Sequence, residues 1–355
     1  EFVRNILRIK FRLGLFENPY RNKKHTGNFY AEKHLKEAKK AAIESTVLLK
    51  NKNSILPIST KTKVAIIGPL ANAPHEQLGT WAFDGEKEHS NTPLLAYKNA
   101  NANFKFAKGL THSRDKTKKG FKEAIEIAKK SDVILFFGGE EAILSGEAHS
   151  RANIDLPGAQ EELINELAKT GKPIVLVIMA GRPITITNII EKTDAVLMAW
   201  HPGTMGGEAL YEVLHGIKSP EGRLPISWPK TAGQLPLFYN HKNTGRPADS
   251  TSFVPMDRIP IAAWQSSLGN DSHYLDAGFT PHFPFGYGLT YTSFKYSDMS
   301  ISKNTIYFNE DLEVKVSIKN TGKKDGKELV QLYVQDIVGS ITRPVKELKR
   351  FKHVF

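Results

Sequence analysis

The amino-acid sequence predicts an open, mostly parallel, doubly wound α/β sheet followed by a small β-sandwich. Four short runs, residues 64–69, 132–139, 173–181 and 195–200, are apolar at nearly every position rather than at alternate ones. Strands covered by helices on both faces have this pattern, because neither face meets water. Amphipathic segments lie between and after them. Phe121, Ala124, Ile125 and Ala128 fall within 119–130, Leu163, Ile164 and Leu167 within 158–169, and Ala209, Leu210, Val213 and Leu214 within 206–215. Strand and helix patterns in alternation indicate an α/β/α sandwich. Farther on, residues 312–318 alternate apolar and polar, a Gly-containing turn cluster fills 320–326, and a second strand pattern covers 329–334. Short alternating strands split by such turns read as a small sandwich.

Four regions follow from these patterns. Residues 1–60 read as helical. Phe2, Ile6, Ile9 and Leu13 recur at helical spacing until Gly14 and Pro19 end the run, and a second helix is expected from about 30 to 50, burying Leu35, Ala38, Ala42, Ser45 and Leu49. Residues 61–240 hold the sheet. Residues 241–297 form a long connection rich in Pro, Gly and aromatics, a kind of segment that is often functional. Residues 298–355 hold the sandwich. The first residues already read as the middle of a helix and the last as the interior of a strand, so both ends look cut and a fragment is expected.

Composition excludes several classes. The 355 residues are 40% apolar, enough for a real core, and the absence of cysteine removes disulfides and thiolate metal sites. The net charge of +12 is spread along the chain. Its densest runs, 21–24 and 116–119, are short and carry no interleaved aromatics, so a solvated basic surface is expected rather than a nucleic-acid partner. No apolar run reaches the roughly 18–20 residues that a membrane span needs. Phosphate-loop, dinucleotide, zinc-protease and nucleophile-elbow motifs are missing, and the twelve histidines do not cluster, so neither metal nor cofactor is expected.

Ligands of such sheets bind beyond the carboxyl ends of the strands. The segments there are 68–72, 138–151, 181–183 and 201–204, of which the second is longest and most charged. It carries Glu140, Glu141, Glu147, His149 and Arg151. On spacing alone Glu147 reads first as a solvated loop acid and second as a working one. Glu140 and Glu141 read as structural, capping loop amides or pairing with a basic neighbour. Arg151 can brace the loop.

Ser145-Gly146-Glu147, followed by Ser150-Arg151 and Leu156-Pro157, resembles the acid/base loop of family 3 glycoside hydrolases. Other segments agree in order: 45–51 with Leu56-Pro57, 171–173 with 181–183, 200–203 with Gly206-Gly207, and 222–225. Residues 243–247 and 285–291 resemble that family's periplasmic β-glucosidase branch, and 343–348 resemble the start of its fibronectin-type-III-like domain. Residues 3–11 are similar to the last helix of the family's (β/α) barrel.

The resemblance implies a retaining, exo-acting β-glucosidase that passes through a covalent glycosyl-enzyme. Glu147 would be the general acid/base, and the aspartate nucleophile would sit on an N-terminal barrel that this chain lacks. Such chemistry needs two carboxyl groups about 5–5.5 Å apart, so this chain alone is expected to be inactive. A β-xylosidase or other exo-β-glycosidase is the neighbouring reading, and a non-catalytic carbohydrate-binding fragment the contrasting one. The implied partners are a β-linked oligosaccharide or glucoside, the barrel portion, and a homodimer mate. The implied location is periplasmic or secreted. Candidate substrate-binding residues are Arg151, Trp264 and Asp276. Trp81 is a further sugar-stacking candidate, whereas Trp200, which ends an apolar run, reads as core.

Overall fold

The computed structural model describes residues 1–20 and 29–355; the basic run at 21–24 lies outside the described residues. The chain divides into two compact units, Glu1–Lys36 and Glu37–Phe355. In the first, α1 (Phe2–Arg12) buries none of its residues and ends where Gly14 takes φ +67°; Phe11, on its last turn, meets Phe16 beyond it with the rings tilted and their centroids 4.5 Å apart.

The second unit is built on a six-stranded sheet. In chain order its strands are β1 (Val47–Asn51), β2 (Val64–Ile67), β3 (Phe104–Ala107), β4 (Val133–Gly139), β5 (Ile174–Met179) and β6 (Ala195–Met198). Their spatial order is β1-β6-β5-β4-β2-β3. β2 to β6 pair in parallel and β1 joins β6 antiparallel, with Val47 opposite Met198. Every residue of β2, β4, β5 and β6 is buried, as their continuous apolar runs require. One face packs on α4 (Phe121–Lys129) and α5 (Gln160–Ala168) through Ala124, Ala128, Leu163 and Leu167. The other packs on α3 (Pro93–Asn99), α6 (Gly206–Leu214) and the end of α2 (Glu32–Ser45) through Tyr97, Leu210, Ala42 and Ile43. Each fully buried Leu, Ile or Val here contributes about 1.5–3 kcal/mol.

Two boundaries differ from expectation. The second helix stops at Ser45, where the hydroxyl of Thr46 bonds back to Ala42 O at 2.8 Å. Leu49 therefore lies in an edge strand rather than on a helix face, and the sheet recruits a segment of region 1–60. The run of Val47, Leu48 and Leu49, all buried, fits a strand covered on both faces better than a one-sided helix. The first sandwich strand also begins earlier than residue 298.

That sandwich comprises two antiparallel pairs. β7 (Phe294–Ile301) pairs with β8 (Val314–Asn320), and β9 (Glu328–Val334) with β10 (Glu347–Val354). Arg223, whose side chain is 7% exposed, reaches Glu328 at 2.9 Å, and Lys327 reaches Glu44 at 3.1 Å and Glu221 at 2.7 Å. The connection 241–297 is mostly turns, with 3-10 turns at Met256–Arg258 and Gln265–Leu268. It is sewn to the sheet layer where Phe283 pairs with Trp228, whose indole N–H donates to Ile184 O at 2.8 Å.

Candidate functional site

Parallel strands deliver their loops to one rim of the sheet, and β4 delivers the longest. Its last residue, Gly139, adopts φ +135°, and a Cβ there would lie 1.9 Å from Met179 O, so only glycine allows β4 to stay in register with β5 up to the rim. The buried Gln160 fixes the same spot. Its Oε1 accepts Gly139 N–H at 2.9 Å, while its amide donates to Gly139 O, Ser113 O and Pro157 O at 2.8–3.0 Å.

Glu140 follows, and its side chain is 0% exposed. A carboxylate buried this deeply needs cationic partners. It has two: Arg151 Nη1 donates to Oε1, and Arg182 Nε donates to Oε2 at 3.1 Å. Both arginine side chains are 20% exposed. Each then grips the loop backbone. Arg182 Nη2 donates to Leu144 O and, at 2.8 Å, to His149 O; Arg151 Nη2 donates to Asp155 O at 2.9 Å. One buried anion thus orients two guanidinium forks whose hydrogen bonds fall on both sides of Glu147.

The crest of the loop is held from below. The 3-10 turn Ala142–Ser145 opens with Ala142 N–H donating to Glu76 Oε2 at 2.7 Å. Ser145 Oγ lies 3.1 Å from Nε2 of His201, at the end of β6, and burial pushes that imidazole's pKa below its usual value. A tight turn then closes with His149 N–H donating to Gly146 O at 3.0 Å, and Ala148 takes φ +60°. Glu147 sits in this turn, exposed, and makes no side-chain hydrogen bond among the described residues. Beside the loop, Glu141 receives Ser113 Oγ at 2.7 Å and a two-pronged Arg114 at 2.9 and 3.1 Å. The Arg114 bonds foremost hold its pKa down at about 2.

Arg151 and Glu147 thus share one loop, but the Arg151 guanidinium is turned inward to Glu140 and Asp155, so it braces the loop. Asp276 is exposed and lines a polar cavity of about 260 Å³ with Asp155, Thr187, Asn188 and Lys230. Trp264 is an 84% exposed indole on the connection. Trp200 is half-buried and packs against the core. Trp81 is 59% exposed and meets Phe83 edge-on at 5.9 Å. Its neighbour Thr80 lies against Gly146, since a Cβ on that glycine would come 3.1 Å from Thr80 Oγ1. Arg182, Gln160, Ser145 and His201 received no role from sequence reasoning. Arg182 and His201 lie in the segments after β5 and β6, and that position at a strand's carboxyl end was the available signal.

Among the described residues no group of three His, Cys, Asp or Glu is placed to hold a metal, and no helix is long and apolar enough to cross a membrane.

Comparison with known proteins gives a consistent picture. The glycosyl hydrolase family 3 C-terminal domain matches residues 46–291, and the fibronectin type III-like domain matches residues 328–355. The periplasmic beta-glucosidase of Salmonella typhimurium is 36% identical over 99% of this chain and 48% of its own length. A putative beta-xylosidase of Formosa agariphila is 34% identical over 99% of this chain and 44% of its own. Among solved structures, beta-glucosidase from Listeria innocua in complex with isofagomine superposes with a TM-score of 0.89 at 35% identity, covering 98% of this chain and 47% of that one. The chain spans about half the length of the curated relatives it matches.

Proposed function

This chain belongs to glycosyl hydrolase family 3, and from that premise we propose that it is the proton-transferring portion of a retaining, exo-acting β-glucosidase, with Glu147 as the general acid/base. The observation that carries the reading is the contrast within one loop. Every other charged group from Glu140 to Arg151 that pairs is pinned, whereas Glu147 is presented outward on a backbone fixed from both sides. A proton donor needs this combination of a rigid mount and a carboxyl group left open to substrate.

In the proposed reaction an aspartate carried on a barrel domain outside residues 1–355 attacks the anomeric carbon. Glu147 gives its proton to the departing glycosidic oxygen, leaving an ester between sugar and aspartate. The Glu147 carboxylate then takes a proton from water as that water attacks the ester, releasing the sugar with retained configuration. A carboxyl group used this way must hold its proton until the glycosidic bond breaks and give it up as the leaving oxygen gains charge. Trp81 is exposed and follows Thr80, which lies against Gly146, and in this reading its indole would stack on the face of the departing group.

Relatives named as beta-glucosidases and beta-xylosidases both match along nearly the whole chain, so β-xyloside hydrolysis is the second reading. The periplasmic relative supports a periplasmic location. The test is Glu147→Ala in the barrel-containing enzyme. Turnover of an unactivated disaccharide should fall by about 10²–10⁴-fold. Azide should restore hydrolysis of an aryl glycoside that has a good leaving group, yielding the glycosyl azide. Undiminished cleavage of the disaccharide would exclude the assignment.

A further inference from the structure

From β2 the chain passes through α3 to β3 on one side; from β4 it passes through α5 to β5 and on to β6 on the other. β2 and β4 are neighbours whose outgoing connections diverge. Open α/β sheets hold ligands above such a switch point, because the two loops separate and leave a crevice at the strands' carboxyl ends. A cavity of about 270 Å³ lies there, lined by residues from the segment after β2, from 108–113 after β3, by Glu141 after β4, and by Lys87.

The charges on its wall are unequally engaged. Glu141 is saturated by Arg114 and Ser113, and Glu76 accepts Ala142 N–H. Lys87 and Lys108 are exposed and have no ion-pair partner among the described residues. The imidazoles of His75 and His112 add polar nitrogen to the same wall, and Pro69 and Leu70 supply an apolar part. Glu141 is neutralised by Arg114 and Glu76 keeps its charge, so the two unpaired ammonium groups leave this concave, partly apolar wall with a net positive charge that favours an anion. The volume suits a molecule no larger than about one sugar ring with its substituent.

We propose that this crevice binds a small anionic ligand, a carboxylate- or phosphate-bearing molecule of single-sugar size, with Lys87 and Lys108 as its cationic contacts. The ligand would lie against the same Glu76–Ala142 and Ser113–Glu141 bonds that seat the loop carrying Glu147.

The test is calorimetric titration of the full 355-residue chain, and of its Lys87→Met/Lys108→Met double variant, with D-glucuronate, glucose 6-phosphate, inorganic phosphate and D-glucose. At least one anion should bind, more weakly as salt rises, and the neutral sugar should not. The double variant, melting within error of the parent, should bind that anion about tenfold or more weakly. Binding of glucuronate and glucose 6-phosphate without phosphate identifies a sugar acid or sugar phosphate. Equal binding of phosphate identifies the anionic group alone as the recognised element. The proposal is overturned if no anion binds at about 10 mM, if glucose binds as well as the anions do, or if the double variant binds them undiminished. None of these readouts depends on glycoside cleavage, so this result and the Glu147 assignment stand or fall separately.

Discussion

Replacing Glu140 by Gln removes one charge from a side chain that is 0% exposed and leaves two guanidinium groups, each on a side chain 20% exposed, without their shared anion. Removing one partner of a buried ion pair costs about 3–5 kcal/mol, because the remaining charge stays desolvated and unpaired. The amide keeps one oxygen as acceptor and nearly the same volume, which places the expected loss toward the lower end. The arginines also donate to Leu144 O, His149 O and Asp155 O, and a guanidinium that turns toward water gives these bonds up at about 0.5–1.5 kcal/mol each. Chemical denaturation should therefore show a loss of about 3 kcal/mol, and thermal melting a fall of roughly 4–5 °C. Hydrogen exchange should accelerate across 141–155 while β5 and β6 stay protected. In the barrel-containing enzyme kcat should fall more than KM changes, because the loop that mounts Glu147 has lost its brace. A melting temperature within about 1 °C of the parent, which corresponds to under about 1 kcal/mol, with unchanged exchange in this loop, would refute the role given to Glu140.

Gln160→Leu should cost about 2–4 kcal/mol, read by urea denaturation, because Gly139 N–H and the carbonyls of Gly139, Ser113 and Pro157 lose a buried partner that leucine cannot replace. Glu141 behaves differently because Arg114 is 54% exposed, and Glu141→Gln should cost only about 0.5–1 kcal/mol at neutral pH. Its folded pKa of about 2 lies below the ordinary 4.5, so the folded state holds the proton less tightly than the unfolded one. The contribution is complete above pH 4.5 and is lost as pH falls through about 2. The variant's stability should accordingly change less than the parent's between those limits in an acid titration followed by circular dichroism.

The sheet was legible because burial on both faces leaves an unbroken apolar run, and β2, β4, β5 and β6 are buried throughout. β1 escaped notice because Leu35, Ala38, Ala42, Ser45 and Leu49 continue a helical spacing through Ser45 into the strand, and spacing alone does not register the Thr46 bond that ends the helix. β3, four residues at the sheet edge with an exposed Lys105, has neither the length nor the apolarity to stand out. In the loop, the residue types around Glu147 could be read, and a basic partner for Glu140 was expected nearby in sequence. Arg182 is 42 residues from Glu140, and only the side-by-side pairing of β4 with β5 brings it there. Gln160 was equally hidden, since a glutamine on the first turn of an amphipathic helix carries no mark of the strand end it ties down.

The most direct measurement is the leaving-group dependence of kcat/KM for parent and Glu147→Ala in the barrel-containing enzyme, using aryl β-glucosides whose phenols span a wide range of acidity. Proton donation by Glu147 predicts a shallow dependence for the parent and a steep one for the variant, with the poorest leaving groups losing most rate. Parallel lines of equal slope would contradict the claim that the proton comes from position 147.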